Sequence, residues 1–83
     1  MRIDENWAVA PERIRAFFLE QADVQEDRDC FRFRTCTISL VALTGQAMGR
    51  WKIPRTQVIF EGDDEDVQTI HHRFFLRFLS AGG

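Results

Sequence analysis

Eighty-three residues make one small domain, and 45% hydrophobic residues with eight Phe and two Trp indicate a packed core rather than a disordered chain. A formal charge of -2 singles out neither nucleic acid nor membrane as a partner, and two cysteines are too few for a disulfide scaffold. No run reaches transmembrane length and no apolar segment follows Met1, so the expected compartment is the cytoplasm.

Met1 to Val9 has no clear period; Arg2-Ile3 is a candidate for a short strand, and Trp7 is expected to pack on the core. Pro11 suits the first position of a helix, where its missing N–H is not needed. Ile14, Phe17, Phe18 and Ala22 then share one face at helical spacing, which predicts a helix from residue 11 to about 22. Asp23 to Asp29 reads as a polar, acidic connection.

Cys30 to Phe60 reads as sheet. Phe31 and Phe33 alternate with Arg32 and Arg34, the period of a strand with one dry face. Ile38, Leu40 and Ala42 alternate in the opposite phase. One extra residue near Thr35-Cys36-Thr37, a β-bulge, reconciles the two phases. A tight turn there would give three strands instead of two. Thr35-Cys36 lacks the Gly or Asn such a turn prefers, so the bulged long strand is expected. In that strand Cys30 and Cys36 lie too far apart to bond. Gly45 and Gly49 bracket a hairpin loop, and the return strand starts near Arg50-Trp51. Pro54 cannot donate to a ladder and marks an edge or an irregular point. Thr56 to Phe60 resumes the strand, with Val58 and Phe60 on one face.

Gly62 ends the sheet. Asp63-Asp64-Glu65-Asp66 then supplies an N-cap and an acidic first turn. Val67, Ile70, Phe74 and Phe78 form the apolar face of the second helix, flanked by His71 and Phe75, with Arg73 and Arg77 toward the polar side. The predicted fold is a single two-layer α+β domain over 1–83, in the order α-β-β(-β)-α. Both helices pack on one face of a small antiparallel sheet. Phe17, Phe18, Leu40, Val58, Phe60, Phe74 and Phe78 should share one core.

No motif points to catalysis, a metal or a cofactor. The acidic run lacks the alternating ligands and central Gly of a calcium loop, and helix capping accounts for it. His71 and His72 point about 100° apart on a helix, and no acid or nucleophile is spaced to partner them. The cysteines have neither C-x-x-C spacing nor a second ligand pair. The protein is therefore not expected to be an enzyme.

Two features remain. Between Asp29 and Glu61 there is no acid, while Arg32, Arg34, Arg50, Lys52 and Arg55 all lie there. The centre carries +5, which leaves -7 on the rest of a chain at -2. Such segregation suits an anionic partner and gives the alternative reading, a nucleic-acid-binding hairpin over 32–55. The α-β-β-β-α order is similar to that of double-stranded-RNA-binding domains, but Asp63 to Asp66 stands where those domains carry a lysine cluster. The second feature is a second apolar face. From Leu40 to Leu43 four successive positions are apolar, and Ile59 repeats the break between Val58 and Phe60. Two short helices cover one face only. Val41, Leu43 and Ile59, with Trp51 nearby, are therefore expected to meet a partner, in a homodimer or a complex with another protein.

The closing Gly82-Gly83 pair resembles the tail of ubiquitin-like sulfur carriers, whose terminal glycine is activated. The likeness covers those two residues. Such carriers begin with a β-hairpin and end in an extended tail, whereas this pair follows a predicted helix and is read as its stop. The leading functional expectation is a non-enzymatic protein-interaction domain.

Overall fold

A computed structural model describes the backbone of residues 1–48 and 51–79, and the side chains of residues 1–43 and 54–79. The elements are β1 (Arg2–Trp7), α1 (Pro11–Gln21), β2 (Val24–Asp27), β3 (Cys30–Phe33), β4 (Cys36–Met48), β5 (Trp51–Glu61) and α2 (Asp64–Phe78). The strands form one antiparallel sheet in the order β1-β5-β4-β3-β2, and both helices lie on the same face of it. The two-layer α+β fold is as expected, with strands added at both edges.

β1 extends the short strand suggested at Arg2-Ile3 through Trp7, pairing with β5 from Arg2↔Glu61 to Trp7↔Thr56. β2 replaces part of the acidic connection; all four of its residues are exposed. The bulged long strand is not formed. Phe33 pairs with Cys36, so Arg34-Thr35 is a two-residue turn between separate strands. Arg34 has φ 54°, and among the described non-glycine residues it alone has a positive φ, the II′ hairpin pattern. Three side-chain arrangements hold this Gly-free turn. Asp23 Oδ2 accepts the Arg34 N–H (2.7 Å). The Arg34 guanidinium lies over the Phe33 ring, 4.8 Å from its centroid. Asp66 of α2 accepts both the Thr35 N–H (3.1 Å) and the Thr35 hydroxyl (2.6 Å).

Cys30 and Cys36 consequently stand in neighbouring strands, and both are free thiols. The register puts Cys30 beside Ser39, on the face away from the helices, and Cys36 in the core. The loop expected from Gly45 to Gly49 is largely strand: β4 runs on to Met48, which pairs with Trp51. The register shift in β4 falls between Leu43 and Gln46, across from Pro54. That is the irregularity the proline requires, since it has no N–H for the ladder.

Both helices are amphipathic as predicted. α1 buries Ile14, Phe17 and Phe18; α2 buries Val67, Ile70, Phe74 and Phe78. With Phe31, Phe33, Ile38, Leu40, Val58 and Phe60 they form one cluster that includes all seven expected core residues. Thr56 is the buried polar residue among those described; its hydroxyl donates to the Val9 carbonyl (2.7 Å), fixing the chain where β1 leaves for α1. The cap of α2 differs from expectation. Asp63 makes no side-chain cap bond, and its own N–H goes to the Thr35 hydroxyl (3.1 Å). The acids at this helix start thus hold the β3–β4 turn, besides favouring the positive end of the helix dipole.

Candidate functional site

Paired residues of an antiparallel sheet share a face, so the register maps the surface opposite the helices. One row runs Arg2, Glu61, Thr37, Arg32, Val24 across the five strands. The next runs Asp4, Ile59, Ser39, Cys30, and beyond it lie Asn6, Gln57, Val41 and then Arg55, Leu43. Ile59 and Val41 are diagonal neighbours, and Leu43 follows two residues along the same strand. The three predicted contact residues therefore form one oblique apolar strip. Val41 is 42% exposed, and Leu43 and Ile59 are half-buried.

The strip has a polar frame. Gln57 donates to Asp4 Oδ1 (2.8 Å), and Arg55 Nε donates to Asn6 Oδ1 (3.0 Å). Arg2 bridges Glu61 (3.5 Å) and Asp4 (3.7 Å). β1, absent from the predicted element order, thus supplies one side of the frame. Beyond Ala42↔Thr56 the β4–β5 pair continues, among the described residues, as a two-stranded ribbon without β1 or β3 beside it. Trp51 starts β5 on this ribbon; its side chain, like that of Lys52, lies outside the described residues.

Of the predicted basic residues, the three with described side chains, Arg32, Arg34 and Arg55, each stand beside a different partner. Arg32 stands on the open face, 3.2 Å from Glu26 of β2. Arg34 leaves from the turn on the helix side, 3.7 Å from Asp66. Arg55 is tied to Asn6, and Arg50 lies outside the described residues. The acids that balance these charges come from β2 and α2, elements outside the basic stretch.

On the helix side, Glu5 points inward between Ile3 and Trp7. Its Oε1 accepts the Trp7 indole N–H (3.1 Å) and lies 2.8 Å from His71 Nε2. The His71 ring meets Phe60 edge-on, with centroids 5.1 Å apart. His71 is therefore a half-buried, hydrogen-bonded side chain, and His72 is exposed. Beside them a groove of about 350 Å³ is lined by Met1, Ile3, Gln68, His71, His72 and Phe75. Asp66 is the carboxylate with altered acidity. The two bonds from Thr35 hold it below the ordinary aspartate range, with a smaller contribution from Arg34. Burial pushes the Cys36 thiol upward, which makes it an inert core group. Among the described residues, no three His, Cys, Asp or Glu side chains are placed to hold a metal ion, and no helix is long and apolar enough to cross a membrane.

Sequence reasoning found the strip but missed its frame and the groove, both of which depend on β1. The available signal was the pattern Ile3-x-Glu5-x-Trp7, two apolar inward positions interrupted by an acid that only its tertiary partners explain. No curated protein matches the chain. A family model described as archaeal MoaD-like protein matches residues 7–83.

Proposed function

The chain belongs to the archaeal MoaD-like protein family, and on that footing we propose that it is a small non-enzymatic domain that works by docking to another protein through its open sheet face. The observation that carries this reading is the strip Ile59–Val41–Leu43, which leads onto the projecting β4–β5 ribbon. A flat, half-dry surface with a hydrogen-bonded polar rim has the anatomy of a protein interface. The interior supports the same conclusion from the other side. Its aromatic side chains are committed to packing, and His71 and Glu5 are committed to each other. The test is site-specific photo-cross-linking in cells, with the cross-linker at position 41 and, as a control, at the exposed turn residue Arg28. One defined protein captured from position 41 and not from 28 is the expected result. Equal capture from both positions refutes the assignment.

A second reading is favoured by the extent of the family match, which reaches through Gly82-Gly83. That pair resembles the tail of ubiquitin-like sulfur carriers, and the resemblance implies that the Gly83 carboxyl is activated and exchanges one oxygen for sulfur. The domain departs from those carriers at its start, where a strand and a helix precede the hairpins, and Gly82-Gly83 lie outside the described residues. A docking surface serves this reading too, because a carrier must be held by the enzymes that load and unload it. Intact mass measurement of protein purified from its own cells separates the two. Sulfur in place of oxygen, localised to Gly83, supports the carrier; a cross-linked partner with an unmodified Gly83 leaves docking alone.

A further inference from the structure

β1 is an edge strand, and among the described residues nothing pairs with its outer backbone. Met1 and Gly62 exchange both of their backbone hydrogen bonds (2.9 and 3.1 Å). Pair types alternate along the Arg2↔Glu61 to Trp7↔Thr56 register, so Ile3, Glu5 and Trp7 bond inward to β5. Arg2, Asp4 and Asn6 therefore turn their N–H and C=O groups outward. The opposite edge, β2, is short, fully exposed and acidic, the usual protection against pairing. β1 is six residues long and borders the groove that holds Met1, Ile3 and Phe75.

We propose that a second copy of this chain pairs with this edge, β1 to β1, about a two-fold axis through Ile3, extending the sheet across both copies. Hydrogen-bond phase allows only even-numbered residues to bond to even-numbered ones, and charge then selects the register. Centring the axis on Arg2, Asp4 or Glu5 sets each of those residues against its own copy, like charge on like. Centres beyond Glu5 run the pair past the end of β1 at Trp7. Centring on Ile3 sets Ile3 against Ile3 and places Arg2 opposite Asp4 twice, on the face away from the helices. Opposite charges across a strand pair stabilise it and like charges destabilise it.

The helix layer fits this arrangement. α2 lies over β1 and β5: Phe74 and Phe75 meet the Trp7 ring, and His71 meets Phe60. With strands about 4.8 Å apart, the axis brings the two α2 helices to roughly 10 Å, a normal packing distance. One groove then faces the other, covering Met1 and Phe75, which are 46% and 37% exposed in the single chain. Residues 2–6 precede the matched family region, and what they offer here is the backbone edge of β1, whose Arg2 and Asp4 also frame the open-face strip.

The experiment is sedimentation equilibrium of the full chain with Arg2→Asp, Asp4→Arg and the double exchange, each checked for folding by circular dichroism. The wild type should be a dimer, and each single reversal should weaken association roughly ten-fold or more. The double exchange should restore it. An equimolar mixture of the two single variants should form a heterodimer, because both of its pairs are then complementary. Ile3→Cys with Cys30→Ser should cross-link through position 3 on mild oxidation. A monomeric wild type overturns the proposal. So does a dimer indifferent to both reversals, or one lost only with Val41→Glu, which would place the contact on the open face instead.

Discussion

Replacing Phe74 by Ala should remove much of the stability of the domain, while Phe75→Ala should remove little. Phe74 is fully buried, and its ring meets Trp7, Phe17, Phe18, Phe60 and Phe78 at centroid distances of 5.1 to 5.9 Å. It joins α2 to α1 and to β1 and β5 at once. Deleting a ring at such a site costs about 3–5 kcal/mol, as lost transfer energy plus an unfilled cavity. At about 0.05–0.15 kcal/mol per residue, 83 residues give a total of roughly 4–12 kcal/mol. The substitution therefore takes about a quarter or more of the whole. With a urea slope of about 1 kcal/mol per molar, the midpoint should fall by about 3 M or more. Phe75 lies on the groove side of the same helix and is 37% exposed, so its loss should cost about 1 kcal/mol. Equilibrium urea unfolding followed by far-ultraviolet circular dichroism makes the comparison. Equal midpoint shifts for the two variants would refute the core assignment.

Gly62→Ala should destabilise the fold by about 1–3 kcal/mol, because the new Cβ would meet the Thr35 carbonyl oxygen at 2.6 Å and the Cys36 Cα at 2.7 Å, backbone atoms that cannot swing aside; an unchanged thermal midpoint would show that the junction yields. Asp66 is held below the ordinary aspartate range chiefly by Thr35, so its contribution is present at neutral pH and lost as pH falls through its folded-state value. The stability gap between wild type and Asp66→Asn should accordingly narrow through the acid range, and a gap constant with pH would contradict this. Burial raises the Cys36 thiol, so its contribution holds at and below neutral pH and is lost as pH rises past the ordinary thiol range. A thiol reagent should modify half-buried Cys30 in the folded protein and reach Cys36 only on unfolding. Low-salt titration with mixed RNA and duplex DNA should show no salt-dependent binding, since Arg32 and Arg34 leave the sheet on opposite sides beside Glu26 and Asp66; a steep salt slope removed by reversing both arginines would restore the nucleic-acid reading.

Where burial alone decides structure, the sequence was readable. Both helices follow from apolar spacing, and the Ile59–Val41–Leu43 strip follows from broken alternation, because each reflects a side chain's choice between water and core. The misreadings arise where distant partners override local preference. The Arg34-Thr35 turn has no Gly or Asn, and what holds it comes from Asp23 and Asp66, eleven and thirty-one residues away. β2 has no dry face and hence no period. The extent of β1 beyond Arg2-Ile3 was hidden by Glu5, whose inward position makes sense only beside Trp7 and His71.

The strand order also sets a timetable. β2 to β5 are joined by successive short connections, each strand paired with the next, so that part of the sheet can form as soon as it is made. β1 pairs with β5 across most of the chain, Arg2 with Glu61. Contacts so distant in sequence form late and slow the folding of small domains. Of these five strands, the first to be made is the last to find its place. Until β5 follows it, Ile3 and Trp7 have nowhere of their own to go, and a neighbouring chain with a vacant β5 edge offers them the same seat.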